Sequence, residues 1–193
     1  NAYVRATRHR GMETWADYLR GDIEGGNGAF PFVRRRGPLA LIGVSSAVPT
    51  PPLMATGKIG QAQLRALDPI LAQLASEQAF RVLLVHHPLH TTSRVKRLTD
   101  SRQLRALIGQ HGVELVLHGH DHVHSTMWLE GPRGEIPAIG VPSASAIAHR
   151  HYPAAAFNMF SIERADGAWR VEQTVRGIDR DMRVKEIRRV RLS

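Results

Sequence analysis

Apolar and polar positions along this chain change period several times, and each change marks an element. Leu64, Leu67, Leu71 and Leu74 recur three or four residues apart, the spacing of one helix face. Pro69 stands inside that pattern, so either Asp68 caps a second helix that starts with Pro69, or one helix kinks there. Arg81 to Val85 reads as a short apolar strand ending in His86-His87-Pro88-Leu89-His90. Asp100 is placed to cap a helix carrying Leu104, Leu107 and Ile108, which Gly112 stops. Val113 to Leu117 forms the next strand.

A strand, a helix and a strand in that order make a parallel pair with a right-handed crossover. Parallel strands deliver their carboxyl ends to one edge of the sheet. His86 leaves one of those ends, and His120 and His122 leave the other, so three imidazoles are expected at one rim, where open α/β sheets hold their ligands.

The pattern on either side is less regular. Residues 3–20 look loosely helical, with Trp15, Tyr18 and Leu19 as apolar contacts. Gly21 to Gly28 reads as a flexible loop. Arg34-Arg35-Arg36 precede a strand from Leu39 to Val44, and the prolines at 49, 51 and 52 keep Ser45 to Gly57 out of helix. After His124 the pattern becomes strands: Ser125 to Leu129, Ile136 to Val141, Phe157 to Glu163 and Trp169 to Val175, expected to form an antiparallel half. Ala165-Asp166-Gly167-Ala168 is a hairpin turn. Residues 177–193 fit a final strand, a helix or a frayed tail.

Composition narrows the class. At 193 residues the chain is expected to be a single domain, 1–193, with 42% hydrophobic and 22% charged residues as in an ordinary globular protein. No apolar run is long enough for a membrane span, and no signal peptide is visible, so a cytoplasmic protein without membrane partners is expected. The absence of cysteine excludes disulfide scaffolds and thiolate metal sites. The net charge is +9, with arginines gathered at Arg5, Arg8, Arg10, Arg34 to Arg36, and from Arg176 to Arg191. That invites polyanions, but no aromatics interleave with these arginines as single-strand recognition requires. A solvated basic surface is the expectation, with nucleic acid disfavoured as a partner.

The concentrated chemistry lies at His118, His120, His122 and His124. On an unbroken strand all four would share a face. Gly119 and Asp121 are turn formers and predict a break that sets His120 and His122 on a tight turn. Neutral imidazoles there can converge on Zn, Mn, Fe or Ni. A His-x-His pair is still only half a site.

The two ordered motifs, His86-His87-Pro88 and Gly119-His120-Asp121-His122, closely resemble those of the calcineurin-like metallophosphoesterases over roughly residues 37–175. The resemblance implies an α/β-β/α sandwich: a mixed sheet with a βαβ unit (residues 81–118) followed by an antiparallel half. It implies two divalent metal ions (Mn, Fe or Zn) bridged by a carboxylate and a water or hydroxide. His86 and His120 would hold one ion and His122 the other, while His87, His90 and His124 would support the ligands or face the substrate. Its activity is hydrolysis of phosphoric esters, here small phosphodiesters such as cyclic nucleotides, so the partner is a phosphorylated small molecule.

The family's carboxylate motifs, Asp-x-His, Gly-Asp-x-x-Asp and Gly-Asn-His, are absent, and the only Gly-Asp pair is Gly21-Asp22. The chain is therefore expected to be the carboxyl-terminal part of a longer domain, holding one ion weakly or none and hydrolysing esters poorly. Missing first strands would leave a sheet edge uncovered and favour a homodimer. Alternatives are a non-catalytic scaffold of the same fold and a basic nucleic-acid-binding module. His149-Arg150-His151-Tyr152 could reach a phosphate or base, or form a plain surface loop.

Overall fold

The computed structural model describes residues 21–24, 30–149, 152–179 and 181–193. The helix expected over 3–20, with Arg5, Arg8 and Arg10, lies outside them, as do the glycine-rich tip at 25–28 and Arg150-His151. The strands are β1 (Ile23–Glu24), β2 (Phe32–Arg36), β3 (Leu39–Gly43), β4 (Phe80–Leu84), β5 (Leu115–His118), β6 (Ser125–Gly131), β7 (Gly134–Gly140), β8 (Ala156–Ala165), β9 (Ala168–Ile178) and β10 (Val184–Arg191). The described helices are α1 (Gln61–Ser76), between β3 and β4, and α2 (Ser101–His111), between β4 and β5. No helix among the described residues is long and apolar enough to cross a membrane.

The class is mixed α/β. A seven-stranded sheet runs in the order β1-β2-β3-β4-β5-β7-β6, and a three-stranded antiparallel sheet runs β10-β9-β8. Strands β3, β4, β5 and β7 are mutually parallel where they pair, so their carboxyl ends share one edge. The β4–α2–β5 unit is the expected one, with Val82 to Leu84 opposite Leu115 to Leu117.

Both faces of these parallel strands are covered, as parallel strands require. On one face Ile42, Leu83, Val85 and Val116 pack with the α1 stripe Leu64, Leu67, Leu71 and Leu74 and with Leu104 and Ile108 of α2. On the other, Phe80, Val82, Leu115 and Ile139 meet Val171 and the half-buried Phe160, Ile162 and Trp169 of the small sheet. The Phe80 and Trp169 rings meet edge to face at 5.3 Å. The β8–β9 turn places Asp166 and Gly167 at φ 55° and 78°, the left-handed pair of a two-residue hairpin.

Several expectations are corrected, and two open ones are decided, in favour of one helix through Pro69 and of a final strand. Helix α1 runs through Pro69 as one element. Asp68 caps nothing; its carboxylate accepts a 2.6 Å hydrogen bond from His111 Nε2 on α2. Asp100 sits at the start of α2 but makes no side-chain cap bond. Its carboxylate instead accepts the backbone N–H groups of Ile59 (3.0 Å) and Gly60 (2.8 Å), which ties α2 to the entry of α1. Arg34 to Arg36 lie inside a strand, β2, because pairing with β3 overrides their low strand preference. The 125–141 hairpin is not confined to an antiparallel half: β7 pairs parallel to β5 and carries β6 into the large sheet. Residues 184–191 form a strand on β9.

One polar group lies deep in the expected apolar strand. Arg81 is 1% exposed. It grips Glu114 through Nε (3.0 Å) and Nη2 (2.8 Å) and donates from Nη1 to the His111 carbonyl (2.8 Å). Its backbone N–H also donates to Glu114, at 2.7 Å.

Candidate functional site

The parallel strands bring two chain ends to one place. Beyond β4 and β5 the ladder continues through Val85 N–H to Leu117 O (3.1 Å) and Gly119 N–H to His86 O (3.1 Å). His86 is thereby held beside the turn after β5. At that turn Asp121 N–H closes back on the Gly119 carbonyl at 2.9 Å, with His120 at φ 73° in the centre. His122 follows at φ 56°. The break expected at Gly119 and Asp121 is real, but the left-handed residues are the two histidines themselves. For a residue with a Cβ that conformation costs about 1–2 kcal/mol, and such strain gathers at functional turns.

The turn aims His120 at His86. Its Nδ1 lies 3.2 Å from His86 Nε2, and the ring centroids are 5.1 Å apart at 79°. His87 forms the third ring of the cluster, 4.2 Å from His120 and 5.1 Å from His86. His87 is buried and clamped at both nitrogens: Nε2 donates to Ala55 O at 3.1 Å, and Ser46 Oγ donates to Nδ1 at 2.7 Å. A Cβ on Gly57 would stand 2.4 Å from that Nδ1, so the neighbouring backbone must be glycine.

The other histidines stand apart from this trio. His122 is exposed, with its ring 6.4 Å from Tyr152, although its charge still acts on His86 and His120. His90 is exposed. His118 is buried, with Nδ1 3.3 Å from the Gly119 carbonyl. His124 is half-buried and feels the charge of Arg188 on β10.

Desolvation sets the protonation of the trio, although only His87 is fully buried, His120 is half-buried and His86 is exposed. It pushes His86 down, helped by the charges of His120 and His122. It pushes His120 down against the pull of Asp121. It takes His87 to about 4, with His120 adding to the effect. The rings are therefore neutral near neutral pH, the state in which imidazole ligates metal.

The same shifts set a pH dependence. The unfolded chain binds protons below 6.5 that the folded His87 refuses until about 4. Stability is thus fully present above about 6.5 and falls as pH drops through that window. Urea melts across the window should show this slope, and His87→Asn should flatten it.

The trio lines a cleft of about 320 Å³ whose far wall carries the Ser45, Thr50 and Thr56 hydroxyls. A larger cavity of about 430 Å³ lies at the opposite end of the strands, beside Arg81 and Trp169.

The donor set fits one ion in part. Two nitrogens, each ~2.05 Å from a tetrahedral ion, stand about 3.3 Å apart, and the His86–His120 spacing of 3.2 Å matches this. The same spacing also serves an N–H···N hydrogen bond. His120 Nε2 is buried with no hydrogen-bond partner, although the Lys96 backbone acts on the ring. A ligating imidazole normally hands this second nitrogen to a carbonyl or carboxylate. A two-ion centre does not fit: no group of three or more His, Cys, Asp or Glu among the described residues is arranged around an ion.

Sequence reasoning expected three rings, His86, His120 and His122, at one rim; His86 and His120 meet, His122 stands off beside Tyr152, and His87, expected with His90 and His124 only in support, is the third ring of the cluster. It missed Ser46, Ala55 and Gly57, which hold His87 from a proline-rich loop with no chemical signature.

No family model matches the chain, and no curated protein does. Among solved structures it is similar to a dimetal phosphatase from Danio rerio, at 18% identity and TM-score 0.48 over 68% of this chain. The chain spans 38% of that phosphatase's length. It is also similar to a double mutant of Vps29 from Entamoeba histolytica (13% identity, TM-score 0.36), over 79% of this chain and 99% of that one. Wild-type Vps29 from the same organism, complexed with zinc, gives 13% identity and TM-score 0.33 over the same shares. Likenesses this distant leave the site to be read from its own residues.

Proposed function

We propose that this chain supplies the histidine side of a metal-dependent centre that hydrolyses phosphoric esters, with small phosphodiesters as substrates. The observation that supports it most is the approach of two neutral imidazoles, His86 and His120, to 3.2 Å at the carboxyl edge of parallel strands. A divalent ion bound there would supply hydroxide near neutral pH and polarise a phosphoryl oxygen. His86 and His120 hold that ion, and His87 keeps the His120 ring in place. His122 is assigned to a second ion, whose bridging carboxylate none of the described residues provides. This chain therefore binds one ion weakly and turns over slowly.

A second reading, a scaffold of the same fold without catalysis, draws on that missing carboxylate. Calorimetric titration with zinc and with manganese separates the two, followed by assay against bis-p-nitrophenyl phosphate. The hydrolase predicts about one weakly held ion per chain and slow turnover that a chelator stops. An ion without turnover favours the scaffold, and neither ion nor turnover sinks the hydrolase. Two tightly bound ions would refute the weak single site.

A further inference from the structure

The cavity of about 430 Å³ at the amino ends of β4 and β5 is untouched by the histidine chemistry. Residues of the β6–β7 and β8–β9 turns complete its lining, so it lies where the two sheets meet. Its size falls within the roughly 300–1,000 Å³ of small-molecule sites.

One part of the wall is apolar and firmly set. Trp169 is half-buried and rests edge to face on the fully buried Phe80. Leu192 packs into the same cluster, and its N–H donates to Val171 O at 2.8 Å. Pro132 lies close over Gly112, where an added Cβ would stand 3.0 Å from the proline ring.

The rest of the wall is charged, three guanidiniums against two carboxylates. Arg81 and Glu114 satisfy each other through the fork described above. Arg133 reaches Glu114 Oε1 only at 3.3 Å, and Arg81 already holds that oxygen at 2.8 Å. Arg164 has no carboxylate partner among the described residues. It is held instead by neutral groups: Nη2 donates to Gln78 Oε1 at 2.7 Å, and Cζ lies 5.5 Å from the Trp169 ring centroid. A guanidinium stacked on an aromatic face keeps its in-plane N–H groups for other acceptors. The one opposing charge left over is Glu135, which is exposed. A fixed guanidinium thus stands beside an apolar wall with donors to spare.

We propose that this cavity binds a small aromatic acid, its ring packed beside Trp169, Leu192 and Pro132 and its anionic group accepting from Arg164 and Arg133. An inorganic anion would leave the apolar wall in water, and a neutral ring would leave the guanidiniums unanswered. The site stands at the other end of the strands from His86 and His120 and does not depend on the phosphoester reading.

The test is a fluorescence titration of the whole chain with 8-anilinonaphthalene-1-sulfonate, alongside N-phenyl-1-naphthylamine, which has the same rings and no charge. Arg164→Gln should weaken the sulfonate about tenfold or more, the loss of a hydrogen bond between charged groups, and leave the neutral amine where it was. Arg133→Gln removes a side chain 67% exposed and should weaken the sulfonate severalfold, which keeps the test open if Arg164→Gln does not fold. Glu135→Gln should hold or tighten sulfonate binding, because it removes the opposing charge. Met182→Ser, in the separate apolar groove beside Ile147, should change nothing. Sulfonate affinity equal to that of the unchanged chain in both arginine variants overturns the proposal, as does loss of binding with Met182→Ser.

Discussion

Replacing His120 with alanine removes zinc binding, with affinity falling by about 100-fold or more. Loss of a group that merely supports a ligand costs about 10–100-fold, and in the proposed centre His120 is a ligand itself, 3.2 Å from His86. His122→Ala should cost far less, because that ring stands off the cluster beside Tyr152. A finer comparison comes from His120→Gly. The backbone there sits at φ 73°, which glycine adopts freely. His120→Gly should therefore abolish zinc binding as His120→Ala does, yet be about 1 kcal/mol more stable than His120→Ala, because both lose the ring and only alanine keeps the left-handed strain. Zinc titration with urea unfolding of both variants reads the two effects apart. If His120→Gly retains zinc, the imidazole is a packing residue and the metal reading fails; if it is no more stable than His120→Ala, the turn holds no strain to release.

The second large effect is on stability. Arg81→Met leaves Glu114 charged, 15% exposed and without its bidentate partner. Breaking a buried pair from one side costs about 3–5 kcal/mol, which for a chain this size lowers Tm by roughly 6–20 °C. Arg133 also reaches Glu114, at 3.3 Å, but it is largely solvent-exposed and cannot replace the lost fork. Combining Arg81→Met with Glu114→Leu should recover most of the loss, because no uncompensated charge remains in the interior. Thermal melts of the single and double variants settle the point: a double variant no better than the single one would mean the cost lies in packing at the base of β4, not in the stranded carboxylate.

The two predictions draw on opposite ends of the same parallel strands. At the amino end a charged pair locks β4 to the start of β5. At the carboxyl end the same register brings His86 alongside Gly119 and so to His120. A change in register would disturb both.

Much of this was legible in the chain itself. The leucine spacing of α1, the short apolar runs of β4 and β5 and the turn residues after them depend on local sequence alone. From a strand, a helix and a strand, parallel pairing follows, and with it the meeting of His86 and His120. Other features were hidden. Asp100 looks like a helix cap, yet its carboxylate serves Ile59 and Gly60, some forty residues upstream. Arg34 to Arg36 look like a polar approach to a strand, yet β3 draws them into the ladder. Arg81 reads as the polar start of an apolar strand until Glu114 folds against it.

Local pattern alone therefore sets which segments become helix or strand and which histidines sit at strand ends, because periodicity and turn chemistry act over a few residues. Contacts between distant segments settle which ring becomes the neighbour of His120: His87, seated by Ser46 and Ala55, and not His122, only two residues away. They also turn β7 parallel to β5 and tie the carbonyls of Val95 and Arg97 to the N–H groups of Ala55 and Gly57. Those outcomes turn on hydrogen bonds and burial across tens of residues, and no short window of sequence contains both partners.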